Sequence, residues 1–179
     1  MGAETFVASD EGEVFRQILA RLKTVLTVPG TLVSADMISL RAVPNVEGIL
    51  NSPAVQLIPG PANVVDGRSG AARVDQSCEV VIFYHGLLDR PGEDDIRFMD
   101  PAVAEGLIEI RNKVRGDGAG NTPTGLIHHV SVAESGSDPD AVHTPMELFA
   151  FSGATINPRD QNWIQTSDSF RFRWKPYDL

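Results

Sequence analysis

The twelve residues from Val74 to His85 form the longest run of strand character in the chain. Val74, Cys78, Val80, Ile82 and Tyr84 fall on one side of a period-two pleat. Asp75, Ser77, Glu79 and His85 fall on the other, joined late by Val81 and Phe83. One face is therefore expected to be buried throughout and the second only toward its end. At about 3.4 Å per residue such a strand runs roughly 40 Å, long enough to cross a whole sheet and project past it. Its amphipathic first half needs a partner element.

The rest of the chain supplies candidates for that partner. Asp10 followed by Glu13 is a capping-box pattern, because the free N–H groups of a first helical turn need acceptors and its dipole favours acid. Val14, Phe15, Ile18, Leu19, Leu22, Val25 and Leu26 then recur at helical spacing, and Pro29-Gly30 ends the helix. Met37 to Val43 and Ala54 to Ile58 read as short strands, interrupted by Pro44-Asn45 and Asn51-Ser52-Pro53. Pro59 to Arg73, which carries Arg68 and Arg73, is rich in turn formers and reads as a mobile connection that orders only on assembly. After the central strand, Leu87 to Phe98 contains a solvated turn with Glu93, Asp94 and Asp95. Asp100-Pro101 opens a second helix with Val103, Leu107, Ile110 and Val114 on one stripe, weakened at Gly106 and ended by Gly116, packed beside the first. A glycine-rich loop from Gly116 to Gly125 leads to strands at Leu126 to Glu134 and Glu147 to Ile156. Asn157 to Ser167 reads as a polar connection holding Trp163, and Asp168 to Lys175 as a two-sided closing strand, with Phe170, Phe172 and Trp174 against Arg171, Arg173 and Lys175. This order predicts an α+β fold: one domain over residues 1–179, a mainly antiparallel sheet and two helices packed on one face.

Composition narrows the function classes. With 42% hydrophobic residues, a chain of 179 fits one domain that hides roughly 70% of its unfolded surface. Fifteen basic against 24 acidic residues leave a net charge of −9, which argues against broad grip on nucleic acid and favours protein partners. Cys78 has no cysteine to pair with and suits a buried filler in a reducing compartment. No apolar run approaches the roughly 20 residues that span a bilayer, so no membrane partner is expected. The first seven residues lack the basic start and apolar core of a signal peptide, and a soluble intracellular product is expected.

No pattern of catalytic chemistry stands out. His128 and His129 are strand neighbours that point to opposite faces and so do not share one ion, while His85 and His143 lack ligands at metal spacing. Glu93 to Asp95 and Asp138 to Asp140 lack the alternating donors and turn glycine of a cation loop. The loop from Gly116 to Asn121 follows a helix and has no Lys-Ser or Lys-Thr, so it does not cradle phosphate. Cys78 sits in mid-strand, away from the exposed positive setting a nucleophile needs, and no serine lies in a nucleophile elbow. We therefore expect no catalytic residue, no metal and no cofactor, with a small metal-dependent hydrolase as the rival class.

The basic side of the closing strand has two readings. Arg171, Arg173 and Lys175 either guard a sheet edge against pairing or form a stripe that meets acid such as Glu93, Asp94 or Asp95 on a neighbouring copy. Trp163, a tryptophan in a polar loop, is the candidate apolar anchor of such a contact.

The capped helix Glu13 to Leu22, the middle strand Arg73 to Ile82, the proline-started helix and the late hairpin together resemble the tail terminator proteins of long-tailed bacteriophages, with longer loops at Pro59 to Arg73 and Ser135 to Pro145. The resemblance implies a structural virion protein, assembled in the host cytoplasm. It implies a hexameric ring on the end of the tail tube that ends its polymerisation and joins it to the head connector. Its partners are then its own copies, the tail tube protein and the connector protein, with DNA passing through the ring without specific recognition. Another ring subunit, of the tail tube or the connector, is the alternative within that class.

Overall fold

The computed structural model describes residues 10–28, 30–66, 72–85, 87–89, 97–99, 101–116, 126, 146–158 and 163–176. Helix α1 spans Glu11–Thr27 and α2 spans Pro101–Arg115. Strands β1 (Ile38–Leu40), β2 (Ala54–Asp66), β3 (Ala72–His85), β6 (Met146–Pro158) and β7 (Trp163–Trp174) form one sheet in the order β1-β2-β3-β7-β6. The β1–β2 pair is parallel and the other three pairs are antiparallel, so the fold is α+β with a mostly antiparallel sheet. Strands β4 (Leu87–Asp89) and β5 (Arg97–Met99) make a separate two-stranded hairpin.

Helix α1 begins where its cap dictates. Asp10 is extended, and its carboxylate accepts the Glu13 N–H at 2.7 Å. The Glu13 carboxylate in turn holds Arg16 at 2.8 Å. The expected stripe is buried at Val14, Phe15, Ile18, Leu22, Val25 and Leu26. In α2, Leu107, Ile110 and Val114 are buried, and Gly116 leaves the helix with φ 97°, a left-handed conformation that glycine adopts at no steric cost.

Strand β3 carries the predicted two-faced pattern. Val74, Gln76, Cys78, Val80 and Ile82 are buried on one face. Their cross-strand partners on β2 (Val55, Leu57) and β7 (Phe170, Phe172, Trp174) join them in the main core with the buried residues of α1 and α2. Phe15 of α1 meets Phe172 edge-on, with ring centroids 5.8 Å apart. The opposite face is apolar only at one end, where Ala54, Ile58, Val81 and Phe83 form a second, smaller cluster.

Four expectations are corrected. Pro59 to Asp66 is strand rather than loop, and β3 resumes at Ala72, so only residues 67–71 of the expected connection fall outside the described residues. The prolines are tolerated because β1 pairs β2 only at Val55, Gln56 and Leu57, and because the β2–β3 register shifts between Pro59 and Ala62. The first strand candidate, Met37 to Val43, shrinks to three residues behind a 3-10 turn, Ala35–Met37. The polar connection Asn157 to Ser167 belongs largely to the sheet, since β6 runs to Pro158 and β7 starts at Trp163. Finally, β7 is not an edge strand: it lies between β3 and β6, which excludes the edge-guard reading of its arginines. Leu126 lies in a turn, its N–H donating to the Val114 carbonyl at 2.8 Å, and the remainder of that predicted strand is outside the described residues.

Candidate interaction surface

The outer part of β2 forms an exposed arm along the margin of the sheet. Pro61, Ala62, Asn63, Val64 and Val65 are consecutive exposed residues, so neither pleat face is covered there, and Val64 is 62% exposed. Both sides of the base of this arm are fastened. On the helical side, buried Gln76 donates to Glu11 Oε1 at 2.5 Å and to the Gly60 carbonyl at 3.3 Å, and accepts the Trp174 indole N–H at 2.9 Å. On the other side, Arg173 grips Asp75 through two bonds of 2.6 and 3.0 Å. That guanidinium, acting first as hydrogen-bond donor, holds the Asp75 carboxyl below its usual range. Gly60 permits the bulge beneath the arm, because a Cβ there would lie 2.8 Å from the Ser77 backbone oxygen.

Backbone edges define the surface further. Among the described residues no strand pairs with the outer side of β2 from Pro59 onward, and none with the outer side of β6. The inner part of the β2 edge is occupied by β1, which is followed by a strap of residues 41–53. Gln56 holds the strap: its side-chain oxygen accepts the Asn45 N–H at 2.9 Å and its amide donates to the Asn45 carbonyl at 2.5 Å. Val46 and Ile49 of the strap pack on the second cluster.

The predicted interface residues are only partly brought together. Arg171 is exposed on β7, while Arg173 is engaged by Asp75 within the same chain, so the basic stripe is shortened. Lys175 lies just past the end of β7 and is half-buried, and Arg73 is half-buried on β3 across from Val65. Trp163 opens β7, its backbone opposite His85, rather than sitting in a loop. Arg68, Glu93, Asp94 and Asp95 lie outside the described residues, as do His128, His129 and His143.

A polar centre went unnoticed in the sequence. Asp168, 1% exposed, accepts Arg115 at 2.9 Å and lies 3.6 Å from Arg111, two arginines one helical turn apart on α2. The signal was present, since Thr166 and Asp168 share the strand parity of Phe170, Phe172 and Trp174 and so point into the core. A shallow pocket of about 290 Å³ at the bulge is lined by Ile58, Gly60, Ser77, Glu79 and Ser169, among others. The Cys78 thiol below it is buried, which pushes its pKa up to about 12 and makes it a poor nucleophile. Among the described residues no three His, Cys, Asp or Glu side chains cluster as metal ligands.

No protein-family model matches this chain, and no curated protein matches it.

Proposed function

We propose that the chain is a structural ring subunit of the tail terminator type, which caps a phage tail tube, ends its polymerisation and joins it to the head connector. The observation that carries the reading is the pair of long outer runs in one sheet, β2 beyond Pro59 and β6, together with a fastened arm between two clamps. Unpaired strand edges are templates for further strands, and joining one edge to a different edge on the next copy is a heterologous contact, the type that forms a ring where the rotation between copies closes. Val64 and Val65 offer apolar surface to a neighbour, and Arg171 and Lys175 set register rather than strength. Catalysis has no part in this role.

Electron microscopy and light scattering of the purified chain mixed with tail tubes test the proposal. Rings seated on one tube end support it. Incorporation along the tube favours the tube-subunit alternative, binding to isolated connectors alone favours a connector subunit, and a chain that stays monomeric with both refutes the whole class.

A further inference from the structure

We propose that the pocket at the β2 bulge is a binding site for one basic side chain, lysine or arginine, of a protein partner, with Glu79 as its counter-ion. The inference rests on the assembly reading above and names the chemistry by which this side of the sheet takes a partner.

The pocket is built into the backbone. The β2–β3 register shifts between Pro59 and Ala62, so Gly60 and Pro61 have no Cα partner on β3. Position 60 carries no side chain, and a Cβ there would lie 2.8 Å from the Ser77 backbone oxygen. Glycine thereby leaves the space of about 290 Å³ open. The proline rings on either side fix the chain, and the buried Gln76 amide holds the Gly60 carbonyl at 3.3 Å from the helical side.

Its polar groups select a cation. Ser77, Glu79 and Ser169 share the sheet face turned away from the helices, and Glu79 and Ser169 are register partners on β3 and β7. Glu79 is the charged group of the lining, is exposed, and among the described residues enters no ion pair. No lysine, arginine, histidine or amide side chain lines the pocket, and Pro59 and Pro61 bring no N–H. An anion would therefore meet a carboxylate and few donors, whereas a cation meets that carboxylate and two hydroxyl acceptors. A hard metal ion such as calcium takes roughly six to eight oxygen ligands, more than this set supplies.

The walls decide which cation. Ile58, Pro59 and Pro61 are apolar, and lysine and arginine lay their methylene stems along such surface while the charged head reaches a polar group. Arg171, the basic residue next in register on this face, stands opposite Ser77 and is not part of the lining. Pro59 to Pro61 also lie on the margin of the sheet where no described strand pairs with β2. A partner chain passing along that margin can set one side chain into the pocket, as in strand-addition complexes. The net charge of −9 favours a basic partner in addition.

The test is an amide NMR titration of the isotope-labelled full chain. The probes are a short blocked peptide of threonine and valine with one central lysine, the same peptide with norleucine in place of the lysine, and spermidine. The lysine peptide is expected to shift the amides of Gly60, Ser77, Glu79 and Ser169, and the norleucine peptide to leave them in place. E79Q is expected to weaken lysine-peptide binding about fivefold, the scale of one exposed ion pair, without moving the unfolding midpoint. Equal binding of the norleucine peptide or unchanged affinity in E79Q overturns the proposal, because charge then has no part. Shifts scattered over the acidic surface instead of these amides, or no shift at all, overturn it as well. Tighter binding of spermidine than of the lysine peptide overturns the choice of a protein side chain and makes this a site for free amines. The ring reading fails separately, by a wild type that stays monomeric with tubes and connectors, and the titration of that monomer still decides the pocket.

Discussion

Trp174 donates its indole N–H to the side-chain oxygen of Gln76 at 2.9 Å, across a pair of strands whose residues are 98 positions apart in the chain. The same Gln76 reaches Glu11 at the start of α1, so one buried amide joins the helix start, the bulge and the last strand. Gln76→Leu keeps the volume but strands the Trp174 donor and the Gly60 acceptor. We expect a loss of about 2 kcal/mol in urea unfolding, since a buried polar group left unpaired costs its desolvation.

The Asp75–Arg173 pair predicts an acid-side loss of stability. Asp75 is held below the ordinary carboxyl range by its hydrogen bonds to Arg173, so the folded state binds the proton more weakly than the unfolded chain. The contribution is fully present above about pH 5 and fades as pH falls below about 4 and through the lowered pKa. Wild type minus Asp75→Asn stability should be about 1 kcal/mol or less at pH 7, the scale of a partly exposed pair, and should vanish near pH 2.

Removing Asp168 should be more damaging than removing either arginine. Asp168→Asn leaves Arg111 and Arg115 together without their shared carboxylate, and about 3 kcal/mol is expected by thermal and urea unfolding. Arg111→Gln, which spares the 2.9 Å contact to Arg115, should cost less than half of that.

Gly106 faces Tyr84, and a Cβ there would lie 2.7 Å from the tyrosine hydroxyl oxygen. Alanine is favoured over glycine in a helix by about 1 kcal/mol. Gly106→Ala alone should therefore gain little, whereas Gly106→Ala in a Tyr84→Phe background should recover most of that figure relative to Tyr84→Phe. Equal effects in both backgrounds would show that the hydroxyl imposes no constraint.

Cys78 should be silent to iodoacetamide at pH 8 in the native chain, because burial pushes its thiol up to about 12, and reactive once the chain is unfolded in urea. Native labelling at a comparable rate would contradict the buried setting.

The sequence by itself determined those features whose causes are local. The Asp10 cap places the start of α1, because a side-chain acceptor three residues from a free N–H needs no other element. Period-two alternation assigns Cys78, Phe170, Phe172 and Trp174 to a buried face, because the pleat sends neighbours to opposite sides wherever the strand lies. Strand order, by contrast, depends on contacts between distant residues. Only the tertiary structure decided that β7 lies between two neighbours, which turns an expected edge guard into an interior row with Arg173 held by Asp75. The same holds for Pro59 and Pro61, which look like loop residues until the short β1 leaves that side of β2 without a ladder to break. Gly106 likewise reads as a helix flaw, and only the approach of Tyr84 from another element gives it a packing reason.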